Sequence, residues 1–157
     1  MGKGEGSLQM IDARSQKNLD TLLPKVKPVM EAFVLEAKKY FQEKGVDCVV
    51  ICGTRTYAEQ DALYAQGRTK PGKIVTKARG GESRHNFGLA IDLGLFVNGK
   101  YLEDSPFYDH IGKVVAKFPQ LEWGGSWKFV DEPHVEYRTG LTLAQMRERV
   151  KTGKPIV

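Results

Sequence analysis

The stretch Leu89-Ala90-Ile91-Asp92-Leu93-Gly94-Leu95 constrains this chain more than any other, because large apolar residues alternate without a break with small or acidic ones. Successive side chains of a β-strand point to opposite faces, so Leu89, Ile91, Leu93 and Leu95 line one face and Ala90, Asp92 and Gly94 the other. The leucine row belongs in a core. Asp92 is then displayed on the far face between two minimal side chains, which leaves room beside it for an ion and a bound molecule. A surface strand with small, acidic outward residues is the plain alternative, and the histidines around it weigh against that.

His85 precedes Asp92 by seven positions in Ser83-Arg84-His85-Asn86-Phe87-Gly88. That odd offset bars it from the face of Asp92 on a continuous strand, so it must project from the loop before it, with Gly88 allowing the turn. His134 lies in Asp131-Glu132-Pro133-His134-Val135-Glu136-Tyr137. In a strand begun at Pro133, His134 and Glu136 share a face, and His134 can point into the cleft of Asp92. Two imidazoles and one carboxylate suit a zinc ion with one coordination position open. Asp131 is close enough in sequence to act as general base on a bound water, with Glu132 as the rival base. Glu136 reads as a solvated carboxylate in preference to a partner of His134. His110, the third of three histidines, is set aside as structural, and Trp123 and Trp127 read as cleft walls or core anchors.

Elsewhere the sequence places helices first and gathers strands later. Residues 1 to 14, with Gly2, Gly4 and Gly6, read as a loose arm. Helical spacing begins at Ser15 and is closed by Pro24, and a longer helix from Pro28 to Phe41 stops at Gly45. A strand over 46–52, a helix from Tyr57 to Gln66, a loop over 68–82 and a helix over 106–118 follow. Strands over 121–124 and 134–137 precede a closing helix over 141–150 capped by Thr142. The order predicts one α+β domain over 1–157, a small, mostly antiparallel sheet with flanking helices. Cys48 and Cys52 are four apart on the 46–52 strand, so at about 3.3 Å per residue they stand roughly 13 Å apart, beyond disulfide reach. They read as reduced core residues without a share in the metal.

Composition excludes several classes. No apolar run approaches the roughly 20 residues of a membrane helix, so a soluble chain with no stable membrane association is expected. The net charge is +5, but Lys and Arg are scattered among acids with no basic, aromatic-interleaved helix, which excludes a dedicated nucleic-acid binder and leaves acidic partners such as wall polymers. The polar, Gly-rich start has no apolar h-region, so no secretory signal is expected.

Ser83-x-His85-x-x-Gly88-x-Ala90-x-Asp92 with a distal Asp131-x-Pro133-His134 resembles the zinc D-alanyl-D-alanine carboxypeptidase and VanY-like peptidase family. It looks most like the L-alanyl-D-glutamate endopeptidase branch of phage endolysins and related bacterial wall hydrolases. Arg55, the Tyr57 to Arg68 stretch, Lys70-Pro71-Gly72-Lys73-Ile74-Val75-Thr76, Gly80-Gly81 and Glu122-Trp123-Gly124-Gly125-x-Trp127-Lys128 resemble that branch in the same order, over roughly residues 20 to 137. The resemblance implies a hedgehog/DD-peptidase-like fold and one zinc ion per chain, held by His85, Asp92 and His134, with Asp131 as base. It implies that Arg55 stabilises the scissile carbonyl oxygen and that Ser83 bonds substrate or shapes its loop; Trp127, as a cleft wall, is the further candidate for a substrate contact. The implied reaction is attack of zinc-activated water on the L-Ala to D-Glu bond of the peptidoglycan stem. A monomer is the default expectation, and the missing secretory signal leans towards holin-type export from a host cytoplasm to the wall. A D,D- or L,D-carboxypeptidase on the stem terminus is the rival within enzymes, and a non-catalytic zinc-stabilised binding module the rival outside them. An intact ligand set with Asp131 and Arg55 both present favours the enzyme.

Overall fold

A computed structural model describes residues 11–157. The first helix, α1 (Ala13–Leu19), starts two residues before the expected point because Asp12 caps it, accepting the Ser15 amide at 2.9 Å. Asp12 also pairs with Lys38 of the next helix, so the loose arm expected up to residue 14 does not extend to Asp12–Arg14. Its first ten residues lie outside the described ones. Helix α2 (Lys27–Gln42) carries Pro28 in its first turn and buries Met30, Phe33, Val34, Ala37 and Phe41, one stripe at helical spacing. Gly45, at φ +74°, turns the chain out of it into β1 (Asp47–Cys52). Helix α3 (Tyr57–Ala65) opens on a capping box between Thr56 and Glu59.

The sheet follows. Strand β2 (Ala90–Val97) runs into β3 (Lys100–Tyr101) through Asn98-Gly99, both at positive φ as a two-residue hairpin turn requires. β4 (Leu121–Trp123) and β5 (His134–Tyr137) complete an antiparallel sheet of order β1-β2-β5-β4, with β3 paired to β2. This is the α+β arrangement the sequence predicts. Leu89, Ile91, Leu93 and Leu95 are fully buried in the core that α2 also enters, where each contributes roughly 1.5–3 kcal/mol.

Two local expectations fail. The segment over 106–118 is not one helix: a 3-10 turn at Pro106–His110 leads into the short α4 (Ile111–Val115). Tyr108 explains the tight start, since its hydroxyl donates to the Leu102 carbonyl at 2.6 Å and accepts the Leu95 amide at 3.1 Å, pinning the turn to the sheet. Pro119 limits it at the other end. The room predicted beside Asp92 at Gly94 is filled, because a Cβ there would meet Ile51 at 2.8 Å. The closing helix, α5 (Leu143–Thr152), is capped by Thr142 as expected and ends at Gly153, φ +72°.

Candidate active site

Strand register assembles the site. On central β2, Asp92 stands opposite Cys52 of β1 on one side and His134 of β5 on the other. His85 comes from a 3-10 turn, Arg84–Phe87, that Ser83 caps by accepting the His85 amide at 3.2 Å and that Gly88 closes at φ +72°. Ser83 therefore shapes the loop, and its residue also lines the cleft.

The two imidazoles converge on one oxygen: His85 Nε2 lies 3.1 Å and His134 Nδ1 3.4 Å from Asp92 Oδ1. Their other nitrogens are committed. His85 Nδ1 donates to the Gly53 carbonyl at 2.9 Å, and His134 Nε2 donates to Glu136 Oε1 at 2.7 Å. A carbonyl and a carboxylate only accept, so each ring carries its proton on the far side and turns a lone pair towards Asp92. Acceptors facing a carboxylate need a cation among them. A proton takes that cation's place when no metal ion is bound. Burial opposes a charged imidazole at His85, yet Asp92 outweighs it and raises the pKa to about 10. Asp92 is likewise held far below the usual carboxylate range by the two histidines, against its own burial. Imidazoles anchored by outer carbonyl and carboxylate partners, with free nitrogens beside a carboxylate, form a donor set that fits zinc.

Around this trio, Asp131 brings Oδ2 to 4.0 Å from His134 Nδ1, and burial raises its pKa. Of the two rival bases, Asp131 lines the cleft and Glu132 does not. Arg55 places NH2 3.4 Å from Asp92 Oδ2. The Trp127 ring centroid is 5.0 Å from that of His134, and its indole donates to Glu122 at 2.6 Å. Trp123 is an anchor, donating to the Glu132 carbonyl at 2.7 Å. His110 is hydrogen-bonded to the Tyr40 hydroxyl at 2.5 Å and takes no part. The cleft encloses about 480 Å³.

Three residues play parts the sequence did not assign. Glu136 is buried, not solvated: besides accepting from His134 it forms a salt bridge with Arg84 Nε at 2.9 Å. Gln60, fully buried, accepts Arg55 NH1 at 2.9 Å and donates to the Ala78 carbonyl at 3.0 Å, holding the guanidinium and a cleft wall together. Cys52 is half-buried, in contrast to the core residue Cys48. A bulge between Val50 and Cys52 turns it to the Asp92 side, where Cys52, His85 and Asp92 bring ligand-type atoms within 4.8 Å of one another. Its sulfur is 3.9 Å from His85 Nδ1, the nitrogen already given to Gly53, so it sits behind the ring and not among the convergent donors. Of the three, only Glu136 left a sequence signal, its period-two spacing from His134.

Chemically this is the equipment of a metal-dependent hydrolase. A family model described as D-alanyl-D-alanine carboxypeptidase matches residues 76–137. The peptidoglycan L-alanyl-D-glutamate endopeptidase CwlK of Bacillus subtilis is 44% identical over 119 residues, covering 69% of this chain and 71% of CwlK. The L-Ala D-Glu endopeptidase ChiX of Serratia marcescens has a similar fold, with a TM-score of 0.60 at 24% identity over 84% of this chain and 92% of ChiX. The vancomycin-resistance D,D-pentapeptidase VanY, solved with zinc(II), gives 0.51 at 16% identity over 86% of this chain and 81% of VanY. The chain belongs to the D-alanyl-D-alanine carboxypeptidase family of peptidases, the family its motifs resemble.

Proposed function

We propose that this chain is a zinc-dependent peptidoglycan endopeptidase that hydrolyses the L-Ala to D-Glu bond of the stem peptide. The observation that carries the reading is the pair of imidazole nitrogens converging on one oxygen of Asp92, within a chain 44% identical to CwlK. His85, Asp92 and His134 would hold one zinc ion per chain, which supplies Lewis acidity to polarise a carbonyl and acidify a water molecule.

Asp131 takes the water's proton and delivers it to the leaving amine. Its raised pKa suits a base that must give the proton up again. Arg55, held by Gln60, directs its guanidinium to the scissile carbonyl oxygen as negative charge builds there. Ser83 fixes the turn that carries His85, and Trp127 walls the cleft. An endolysin-type lytic role rests on the sequence resemblance, and a monomer is the default.

A soluble stem pentapeptide tests the reading. Zinc-loaded protein is expected to release L-alanine from its amino end, and chelation to abolish the release. Release of D-alanine from the carboxyl end would make the chain a carboxypeptidase, and no product with zinc bound would make it a binding module.

A further inference from the structure

Four of the seven exposed large hydrophobic side chains among the described residues, Ile74, Val75, Phe129 and Val130, gather in one place. They flank a groove of about 690 Å³ between the Thr76 loop and the turn that ends at Asp131. Clustered apolar surface of this kind marks a binding site. The groove continues into the catalytic cleft, and Val75, Thr76 and Asp131 line both. Phe129 is 77% exposed, with the Lys77 ammonium 5.5 Å from its ring centroid. Elsewhere the cleft wall is different in kind, with Glu82, Arg84 and Glu136 supplying charge.

We propose that this groove is the subsite for the muramyl sugar that bears the stem, so that the substrate lies with its sugar on Phe129 and its D-Glu side in the catalytic cleft beyond Asp131. The inference rests on the endopeptidase reading above. Covalent geometry supports it first. The residue carrying the scissile carbonyl is the first of the stem and is joined to the sugar by a lactyl group. At about 3.5 Å per extended residue, two or three such lengths put the sugar within roughly 10 Å of the bond to be cut. Asp131, with its carboxylate 4.0 Å from His134, is the shared border of cleft and groove.

The chemistry of the two substrate ends then sets the direction. The sugar end is uncharged and offers methyl groups and a C–H face to an aromatic ring. The stem from D-Glu onwards carries free carboxylates, and burying an unpaired charge against Ile74, Val75, Phe129 and Val130 is costly, so that end is kept out of the groove.

The test compares kcat/KM for a muramyl tetrapeptide and for the same tetrapeptide with an N-acetyl group in place of the sugar, in the wild type and in Phe129→Ser/Val130→Thr. The wild type is expected to prefer the sugar-bearing substrate by about tenfold, and the double variant to cut that preference to about twofold or less. A wild-type preference near one, or a preference that survives the substitutions, overturns the proposal. Equal losses on both substrates would assign the groove to the D-Glu side, and a dimer that the substitutions dissociate would assign it to a second copy of the chain; either overturns it. A wild type that cuts neither substrate between L-Ala and D-Glu refutes the endopeptidase reading and this inference with it.

Discussion

Replacing Glu136 by glutamine tests how the metal site is held. Glu136 meets two partners, accepting His134 Nε2 at 2.7 Å and forming a salt bridge with Arg84 Nε at 2.9 Å. A carboxylate serves both. A carboxamide has one acceptor oxygen and turns N–H groups towards the second partner, so either the His134 hydrogen bond or the Arg84 contact is lost whichever way the side chain flips. Leaving a buried donor unsatisfied costs about 1–3 kcal/mol, and Arg84 also loses its neutralising charge. Outer partners of metal-bound histidines are worth about 10- to 100-fold in metal affinity, or roughly 1.4–2.7 kcal/mol. Glu136→Gln is therefore expected to weaken zinc binding by that factor in competition with a chromophoric chelator, and to lower the urea midpoint of the metal-free protein. Zinc affinity within twofold of wild type at an unchanged urea midpoint would refute the reasoning.

Three further substitutions separate the remaining parts. Asp131→Ala is expected to keep stoichiometric zinc and lose about 10²- to 10⁴-fold in kcat, and near-normal turnover would remove Asp131 from the mechanism. Gln60→Leu frees Arg55 and unties the wall at Ala78, so kcat should fall by up to about 100-fold at full zinc occupancy; a loss that merely tracks the folded fraction, read by circular dichroism, would contradict this. Gly124→Ala sets a Cβ against the Asp131 carbonyl and 3.2 Å from the His134 Cβ. It should cost about 1–3 kcal/mol by overpacking and lower turnover as the base is pushed aside, which thermal unfolding and kinetics read separately.

The unbroken alternation of β2 was enough to put Asp92 opposite the core, because strand period and burial agree there. His134 followed from the period of β5, and the antiparallel register Asp92–His134 joins two motifs that sequence could only list side by side. What sequence missed depends on contacts between distant segments. The burial of Glu136 needs Arg84, 52 positions upstream, and Gln60 is enclosed by the loop at Thr76–Ala78. The bulge that turns Cys52 towards His85 interrupts an otherwise regular β-branched run and has no local signature. The short α4 reflects a tether from Tyr108 to β2 and the following loop, where helical periodicity alone promised a longer element.

The most direct measurement is mass spectrometry of purified peptidoglycan digested by zinc-loaded wild type, with chelated wild type and Asp131→Ala beside it. Stem fragments with a new amino-terminal D-Glu, present only in the first digest, are the predicted result. Release of terminal D-Ala alone, or equal D-Glu ends from all three digests, would contradict it.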